Sequence, residues 1–346
     1  MKTTTAVLVQ TGKPLELAEL DIPALKPGQV LVEVRFSAVC HTQLLEARGH
    51  RGEDKFLPHC LGHEGSGVVR DIGPGVTKVK VHDPVILSWI KGSGADVPGT
   101  TYGWNGKTVN SGAITTFGRF SVISENRLTL LTAGVAMRDA AMLGCAVPTG
   151  FGVVFNTAAP RPGQSLAVFG TGGVGLCAVA AAAISGCTPV IAVDVLESKL
   201  EVARQMGATD TINAATTDPL AALKQLVPGG LDFAIECSGR PDVMLQALNA
   251  VRNQGGAAVV VGNARSGERM SLDPLQMNLG KRLLGTWGGD SVPDRDYPRY
   301  ARLLLAGRMR LDPILSKAYP LESINDALDD LESGAAVRPL IDMAEV

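Results

Sequence analysis

A chain of 346 residues is longer than the size at which one hydrophobic core usually stops growing, so we expect two domains. The hydrophobic content of 45% and the charged content of 19% are typical of globular proteins. A formal charge of −2 excludes the strongly basic surface that nucleic acid or an anionic membrane would require.

The N-terminal pattern leads us to expect neither an export signal nor a membrane segment. Met1 leads directly into an alternating strand pattern, and no later apolar stretch is long enough to cross a bilayer. The six cysteines are spread along the chain, unlike those of a secreted disulfide framework. We therefore expect a cytoplasmic protein with reduced thiols.

Short strand candidates dominate roughly the first 145 residues. Residues 30–34 and 67–69 have strand composition, and turn sequences such as Gly73-Pro74-Gly75 separate the candidates. This pattern predicts an irregular β-rich domain. Residues 92–118 are rich in glycine and threonine, and we expect an ordered loop or lobe there.

From Ser165 the pattern changes to strand, glycine turn, apolar helix and strand, which is a βαβ unit. Strands are predicted at residues 166–169, 190–194, 232–236 and 257–261, a turn-prone stretch at 290–297, and helices at 299–306 and 324–331. The predicted fold class is α/β, with a doubly wound parallel sheet in this second domain. The last helices could rejoin the first domain.

The sequence Gly170-Thr171-Gly172-Gly173-Val174-Gly175 lies between the first of these strands and the helix. In that position Gly170, Gly172 and Gly175 permit a tight turn, close approach of a pyrophosphate and close packing of the helix on the strand. The helix N-terminus offers unpaired N–H groups to the anion. The loop predicts a dinucleotide cofactor.

Asp194 ends the next predicted strand, about 20 residues after the last glycine of the loop. A carboxylate there can accept hydrogen bonds from both ribose hydroxyls of NAD and repel the 2′-phosphate of NADP. Lys199 could reach the same ribose. We therefore predict NAD as the cofactor.

Three separated segments carry side chains that can bind a metal. Cys40 follows a predicted strand, His63 and Glu64 follow a loop, and Cys145 lies far downstream. Two thiolates and an imidazole suit zinc, and three protein ligands leave a fourth position open, as in catalytic sites. Spacing does not establish the site, because a cysteine taken alone is most often a small buried hydrophobe.

The order of these segments resembles the zinc-dependent alcohol dehydrogenases of the medium-chain dehydrogenase/reductase superfamily over nearly the full chain. The motifs that carry this similarity are Cys40-His41-Thr42, Gly62-His63-Glu64-Gly65, Asp83-Pro84-Val85, Gly144-Cys145-Ala146-Val147-Pro148-Thr149-Gly150, the glycine loop with Asp194, Leu311-Asp312-Pro313, and Ser333-Gly334 with Arg338. The resemblance implies a GroES-like catalytic domain of residues 1–146 and 288–346. It implies a Rossmann domain of residues 147–287, with the site in the cleft between them.

The resemblance also implies roles for individual residues. Cys40, His63 and Cys145 would bind zinc, Glu64 could exchange onto the metal, and Thr42 would accept the proton of the alcohol. Contacts with the cofactor or the substrate would come from a further set: His41 and Arg338 at the pyrophosphate, Thr149 and Val174 at the nicotinamide, and Trp89, Leu45 and Trp287 in the substrate pocket.

Three departures from the family bear on function. Residues 92–118 contain no cysteine, which excludes a four-cysteine structural zinc there, so we predict one catalytic zinc per chain. Gln43 stands where relatives commonly have an aspartate bonded to the histidine ligand. Leu45 replaces a histidine that some relatives use to pass the proton to solvent. The last proton step must then use water or another group.

We predict an oxidoreductase that transfers a hydride between an alcohol and NAD, with primary, secondary, polyol and cyclitol alcohols all open. A homodimer or tetramer is implied by the resemblance. Two alternatives remain: a zinc-free reductase of activated carbonyls or alkenes, and a non-catalytic NAD-binding or redox-sensing protein. A basic group is formed by His50, Arg51, Lys55 and His59. These side chains are either an ordinary solvent-exposed face or a wall that favours an anionic or hydroxyl-rich substrate. A glutathione-dependent formaldehyde dehydrogenase is disfavoured, because Arg51 occupies a carboxylate position of that class, although Glu53 remains.

Overall fold

The computed structural model describes residues 1–315 and 317–344. Its strands are β1 Lys2–Leu8, β2 Glu16–Asp21, β3 Gln29–Ala38, β4 His59–Cys60, β5 Glu64–Ile72, β6 Pro84–Ser88, β7 Thr101–Trp104, β8 Lys107–Asn110, β9 Phe120–Ser124, β10 Leu128–Leu130, β11 Leu166–Phe169, β12 Val190–Asp194, β13 Asp210–Asn213, β14 Phe233–Glu236, β15 Ala257–Val260, β16 Arg282–Gly285, β17 Ala318–Pro320 and β18 Leu340–Asp342. Its α-helices are α1 His41–Ala47, α2 Met137–Ala140, α3 Ala146–Gly152, α4 Gly173–Ile184, α5 Glu197–Gln205, α6 Pro219–Leu226, α7 Pro241–Ala250, α8 Leu275–Asn278, α9 Pro293–Leu305 and α10 Ile324–Ser333.

These elements form two compact units. The first unit consists of Met1–Cys145, Val292–Gly307 and the described chain from Leu315 onward. The second consists of Ala146–Ser291 and Arg308–Ile314.

The first unit is built from β-sheet. Strands β1, β2, β7, β8 and β4 close into a small barrel, and a larger sheet has the order β10-β6-β5-β3-β18-β17, with β9 also paired to β3. Val30, Val32 and Val34 of β3 are all buried in one core, since alternate residues of a strand point to the same face. Strand β3 is therefore central to this unit, and it ends two residues before Cys40.

The second unit contains a six-stranded, all-parallel sheet with the order β13-β12-β11-β14-β15-β16. This is the doubly wound order in which a dinucleotide binds at the carboxyl ends of the central strands. All four residues of β11 are buried, as expected for a parallel strand covered on both faces. The predicted fold class, a GroES-like β-rich domain and a Rossmann domain, is confirmed.

One predicted element begins earlier than expected. Helix α9 starts at Pro293, inside the stretch for which the polar sequence predicted turns. Proline suits the first position of a helix, and Asp294 and Asp296 in the first turn favour the positive end of the helix dipole. Among the described residues no single helix has the length and apolar composition of a membrane span, and one bent pair, Met137–Gly144 with Ala146–Ala158, reaches them jointly.

Candidate active site

Four predicted ligands come together in the first unit. One donor atom from each of Cys40, His63, Glu64 and Cys145 lies within 4.8 Å of the other three. Cys40, Glu64 and Cys145 are buried and His63 is half-buried. Two sulfur atoms with an imidazole nitrogen form the donor set that zinc prefers.

The backbone brings these segments together. Cys40 precedes α1, His63 lies just before β5, Glu64 begins β5, and Cys145 follows the 3₁₀ turn Ala141–Gly144. A Cβ atom on Gly144 would collide with the carbonyl oxygen of Leu87 and lie 2.9 Å from the Cα atom of Glu64. Only glycine therefore lets this turn approach β5 closely enough to place Cys145 in the cluster.

Hydrogen bonds hold the turn before Cys145 in place. The Ser88 hydroxyl donates to the carbonyl oxygen of Gly144 at 2.7 Å and contacts the Tyr297 hydroxyl at 2.6 Å. Tyr297 lies on α9 and is 1% exposed. Burial raises the pKa of Tyr297, so its phenol stays neutral and can donate to Ser88.

Charges around the cluster favour thiolate formation. Glu64 and Arg338 form an ion pair whose side chains are 0% and 3% exposed, respectively. A hydrogen bond with Cys145 lowers the pKa of Cys40 well below its ordinary value, against the effect of burial. The charges of Arg338 and His63 lower the pKa of Cys40 further.

His63 is oriented to bind a metal through Nε2. This atom is buried and has no hydrogen-bond partner among the described residues, while Nδ1 contacts the side-chain amide of Gln43. The Oε1 atom of Gln43 is also buried without a partner. Turning the amide by half a rotation lets Oε1 accept from Nδ1–H, which leaves the Nε2 lone pair for zinc. The residues present thus fit a zinc ion.

Four more predicted residues belong to the first unit, and one of them contacts the cluster. The ring of Trp89 contacts the His63 ring edge to face, with centroids 6.4 Å apart. Leu45 is 6% exposed on α1. Thr42 is half-buried and His41 is exposed, both in the first turn of α1.

The glycine loop of the second unit joins β11 to α4, as predicted. A Cβ atom on Gly175 would collide with the carbonyl oxygen of Gly170, so the close turn requires glycine there. Asp194 accepts hydrogen bonds from the Thr171 amide at 2.7 Å and the Thr171 hydroxyl at 2.9 Å. The structure thereby adds Thr171 as a positioning residue, which the loop motif itself contained but did not identify.

Three other residues predicted at the cofactor, Thr149, Val174 and Lys199, lie on helices of the second unit. Thr149 of α3 is 8% exposed, and its hydroxyl has no hydrogen-bond partner among the described residues. Val174 lies in the first turn of α4, and Lys199 on α5. Trp287, which was predicted in the substrate pocket, is 74% exposed. The contacts of these residues with cofactor or substrate stay predictions.

A cavity of about 600 Å³ opens beside the cluster within the first unit. His63, Gln43 and Glu46 line it together with Arg51, Glu53, Asp54 and His59. Arg51 lies 3.6 Å from a Glu46 oxygen, and His59 Nε2 lies 2.7 Å from an Asp54 oxygen. Two of the four basic residues identified from the sequence thus line the cavity, and each has a carboxylate partner.

Comparison with known proteins agrees with this geometry. Residues 26–132 match the alcohol dehydrogenase GroES-like domain and residues 173–306 the zinc-binding dehydrogenase domain. S-(hydroxymethyl)glutathione dehydrogenases from Synechocystis sp. and Escherichia coli are 33% and 34% identical, each covering 99% of this chain and 100% of the relative.

Two solved structures are similar along the whole chain. An alcohol dehydrogenase zinc-binding domain protein from Burkholderia ambifaria has a TM-score of 0.91 and 32% identity, covering 100% of both chains. Benzyl alcohol dehydrogenase from Acinetobacter calcoaceticus has a TM-score of 0.90 and 32% identity, covering 99% of this chain and 100% of that one. The similarity therefore extends over both units.

Proposed function

Because this chain belongs to the zinc-dependent alcohol dehydrogenases of the medium-chain dehydrogenase/reductase superfamily, we propose that it oxidises a neutral, hydroxyl-rich alcohol with NAD. The family activity is oxidoreduction of small alcohols and their carbonyl products with a catalytic zinc and a nicotinamide cofactor. The observation that carries the assignment is the four-ligand cluster with the unpartnered Nε2 of His63. It disfavours the zinc-free and non-catalytic alternatives.

Cys40, His63 and Cys145 would hold the zinc, with Glu64 able to replace or join a ligand. Zinc, when bound, supplies a Lewis acid that makes the alcohol hydroxyl more acidic. Gln43 fixes the ring of His63, and Arg338 balances the charge of Glu64. Thr42, in the first turn of α1, would accept the hydroxyl proton, and a bound nicotinamide would supply the hydride acceptor.

The preference for NAD rests on Asp194. Thr171 holds its Oδ2 atom, and the backbone N–H groups of Val195 and Leu196 donate to Oδ1 at 2.8 and 3.1 Å. The carboxylate is therefore fixed at the end of β12, where its negative charge would repel a 2′-phosphate. Ribose hydroxyls would bind it by sharing or displacing the Thr171 hydroxyl.

The choice of substrate rests on the charges of the cavity. Three carboxylates, Glu46, Glu53 and Asp54, line it with only two basic side chains, Arg51 and His59. Among the described residues Glu53 has no ion-pair partner, so the wall keeps an excess of negative charge. An anionic substrate would be repelled, whereas hydroxyl groups can donate to carboxylates.

We propose one zinc per chain and a homodimer. No cysteine is present in residues 92–118, so a second, four-cysteine site lacks its ligands. Strand β16 lies at the edge of the parallel sheet, and Leu275, Met277 and Leu279 before it are exposed. An unpaired strand edge with apolar neighbours supports pairing with a second copy.

Zinc analysis tests the function directly. Protein purified without added metal should contain about one zinc per chain, and Cys145→Ala should lose it, because two remaining strong ligands hold zinc poorly. An alcohol screen with NAD should then favour a short diol over the hydroxy acid of equal carbon number. S-(hydroxymethyl)glutathione belongs in the same screen. Folded wild-type protein without zinc, or a preference for the hydroxy acid, would contradict the respective parts of the proposal.

A further inference from the structure

The oxidation of an alcohol releases a proton that must leave a partly enclosed site. The overall reaction is R₂CHOH + NAD⁺ → R₂C=O + NADH + H⁺, and the proton originates on the hydroxyl oxygen. The side chain of Leu45 is a hydrocarbon without a group that binds protons, so it cannot carry that proton. It is also 6% exposed. Another group in the first unit must receive it after Thr42.

Glu46 lies in the right place on α1. Thr42 and Glu46 are four residues apart in this helix, so their side chains project from the same face and are neighbours. Glu46 also lines the cavity beside Gln43 and His63. Its side chain is 29% exposed, so the carboxylate can contact both the enclosed part of the cavity and the solvent. A single water can bridge a hydroxyl and a carboxylate at such a separation.

The surroundings of Glu46 suit a group that gains and loses protons. Burial raises the pKa of Glu46 above its ordinary value, while the positive charges of Arg51, His63 and His59 lower it and the charge of Cys40 raises it. Glu53 and Asp54 line the same cavity with further negative charge. A pKa closer to the working pH lets a carboxylate accept a proton and then release it readily.

We propose that Glu46 receives the substrate proton from Thr42 through a water molecule in the cavity and passes it to solvent. This assignment rests on the proposed alcohol oxidation. The C–H bond breaks with its electron pair going to the nicotinamide, and the O–H bond breaks as C=O forms. Thr42 accepts that proton and gives up its own to the bridging water, which protonates the carboxylate of Glu46. Release of the proton to bulk water restores the carboxylate.

The test compares Glu46→Gln with Glu16→Gln in the zinc-loaded enzyme with NAD and its best alcohol. Glu16 provides the control, because it is an exposed glutamate on β2 of the same unit and does not line the cavity. Glu46→Gln should lower kcat about tenfold to a hundredfold with KM nearly unchanged, and the rise of kcat with pH should disappear. Small buffers such as formate or imidazole should restore part of the rate. Glu16→Gln should keep both kcat and the pH profile.

An infrared titration supplies a readout that does not depend on turnover. In the zinc- and NAD-loaded protein, the protonated carboxyl band should grow as the pH falls, and subtracting the Glu46→Gln spectrum should leave the band of one carboxyl group. Glu46→Asp serves as a second variant if the glutamine form folds poorly, and it should retain buffer-sensitive activity. These measurements separate a proton acceptor from a residue that only positions Arg51.

Three results would overturn the assignment. One is a Glu46→Gln enzyme with wild-type kcat and pH profile. Another is an equal loss at every pH that buffers do not rescue, since that marks a structural role. A third is loss of the pH-dependent step in Glu16→Gln as well. A zinc-loaded wild type that oxidises no alcohol would instead refute the proposed function, and the assignment of Glu46 with it.

Discussion

Replacing Glu125 with Gln should destabilise the protein by about 3 kcal/mol, because Glu125 joins Ala95 of the glycine- and threonine-rich segment to the loop between β5 and β6. Glu125 is 2% exposed. Its Oε2 atom accepts from the backbone N–H groups of Thr77 and Lys78 at 2.9 and 3.0 Å, and Oε1 accepts from Ala95 at 2.8 Å. One carboxylate thus joins two loops.

The magnitude follows from these three bonds. Hydrogen bonds to a charged group contribute about 1.5 to 3 kcal/mol each, and a buried donor left without an acceptor costs about 1 to 3 kcal/mol. Glutamine keeps one acceptor atom but turns an NH₂ group toward at least one N–H donor. A loss of about 3 kcal/mol would lower the melting temperature by about 6 to 12 °C in a unit of this size.

The effect should depend on pH in a defined direction. Burial pushes the pKa of Glu125 up, but the hydrogen bonds from Ala95, Lys78 and Thr77 and the charge of Lys78 outweigh it, so the pKa is lowered. A carboxyl group with a lowered folded-state pKa stabilises the protein above its unfolded-state pKa. The difference between wild type and Glu125→Gln should therefore be full at neutral pH and shrink below about pH 4.

Thermal and urea unfolding at neutral and acid pH measure this effect. Glu16→Gln is the matched control, because Glu16 is exposed on β2 and its replacement should change stability by less than about 0.5 kcal/mol. Zinc content should stay at about one per chain in both variants. A Glu125→Gln protein that melts within about 1 °C of wild type, or a second zinc that the variant loses, would refute this reasoning.

Two further substitutions test the proposed chemistry. Thr42→Ala should lower kcat about a hundredfold while the affinity for NAD changes less than about twofold, as measured by steady-state kinetics and NAD titration. An unchanged rate would remove Thr42 from proton transfer. Asp194→Ser should shift the ratio of kcat/KM for NAD and NADP by about tenfold or more towards NADP. The substitution removes the carboxylate that accepts hydrogen bonds from the ribose of NAD and repels the 2′-phosphate of NADP. No gain in kcat/KM with NADP would contradict the role of Asp194.

The second unit was largely predictable because its signals are local. The strand bounds 166–169 and 190–194 agree with β11 and β12, and the glycine loop joins β11 to α4 as expected. Glycines, a buried apolar strand and a terminal acid occupy one short stretch of chain, so their physical roles can be derived together. Thr171 was missed because its hydrogen bond to Asp194 joins the loop after β11 to the end of the neighbouring strand β12.

The metal site was predictable in its ligands but not in its support. Motif resemblance identified Cys40, His63, Glu64 and Cys145, and the structure brings all four together. Spacing could not have done so, because three separate segments meet only after folding. Tyr297 was missed for the same reason, since its hydrogen bond to Ser88 joins residues 209 positions apart.

Glu46 and the His59–Asp54 pair were visible only as ordinary charges. In the sequence the basic residues near Arg51 form one group, and no pattern assigns a carboxylate partner to any of them. In the structure Arg51 and His59 each pair with a carboxylate. The charge expected in the cavity therefore changes from positive to negative. Partner identity depends on the path of the loop after α1, and no sequence pattern specified that path.

The pairing of Glu64 with Arg338 has a consequence for synthesis. The two residues are 274 positions apart, and β18, two residues after Arg338, joins the sheet beside β3. At about 5 to 20 residues per second, a ribosome needs roughly 15 to 55 seconds after making Glu64 before the arginine exists. Until then the carboxylate of Glu64 lacks the guanidinium of Arg338, and its burial is more costly without this ion pair. The first unit therefore closes around its metal ligands only late in translation.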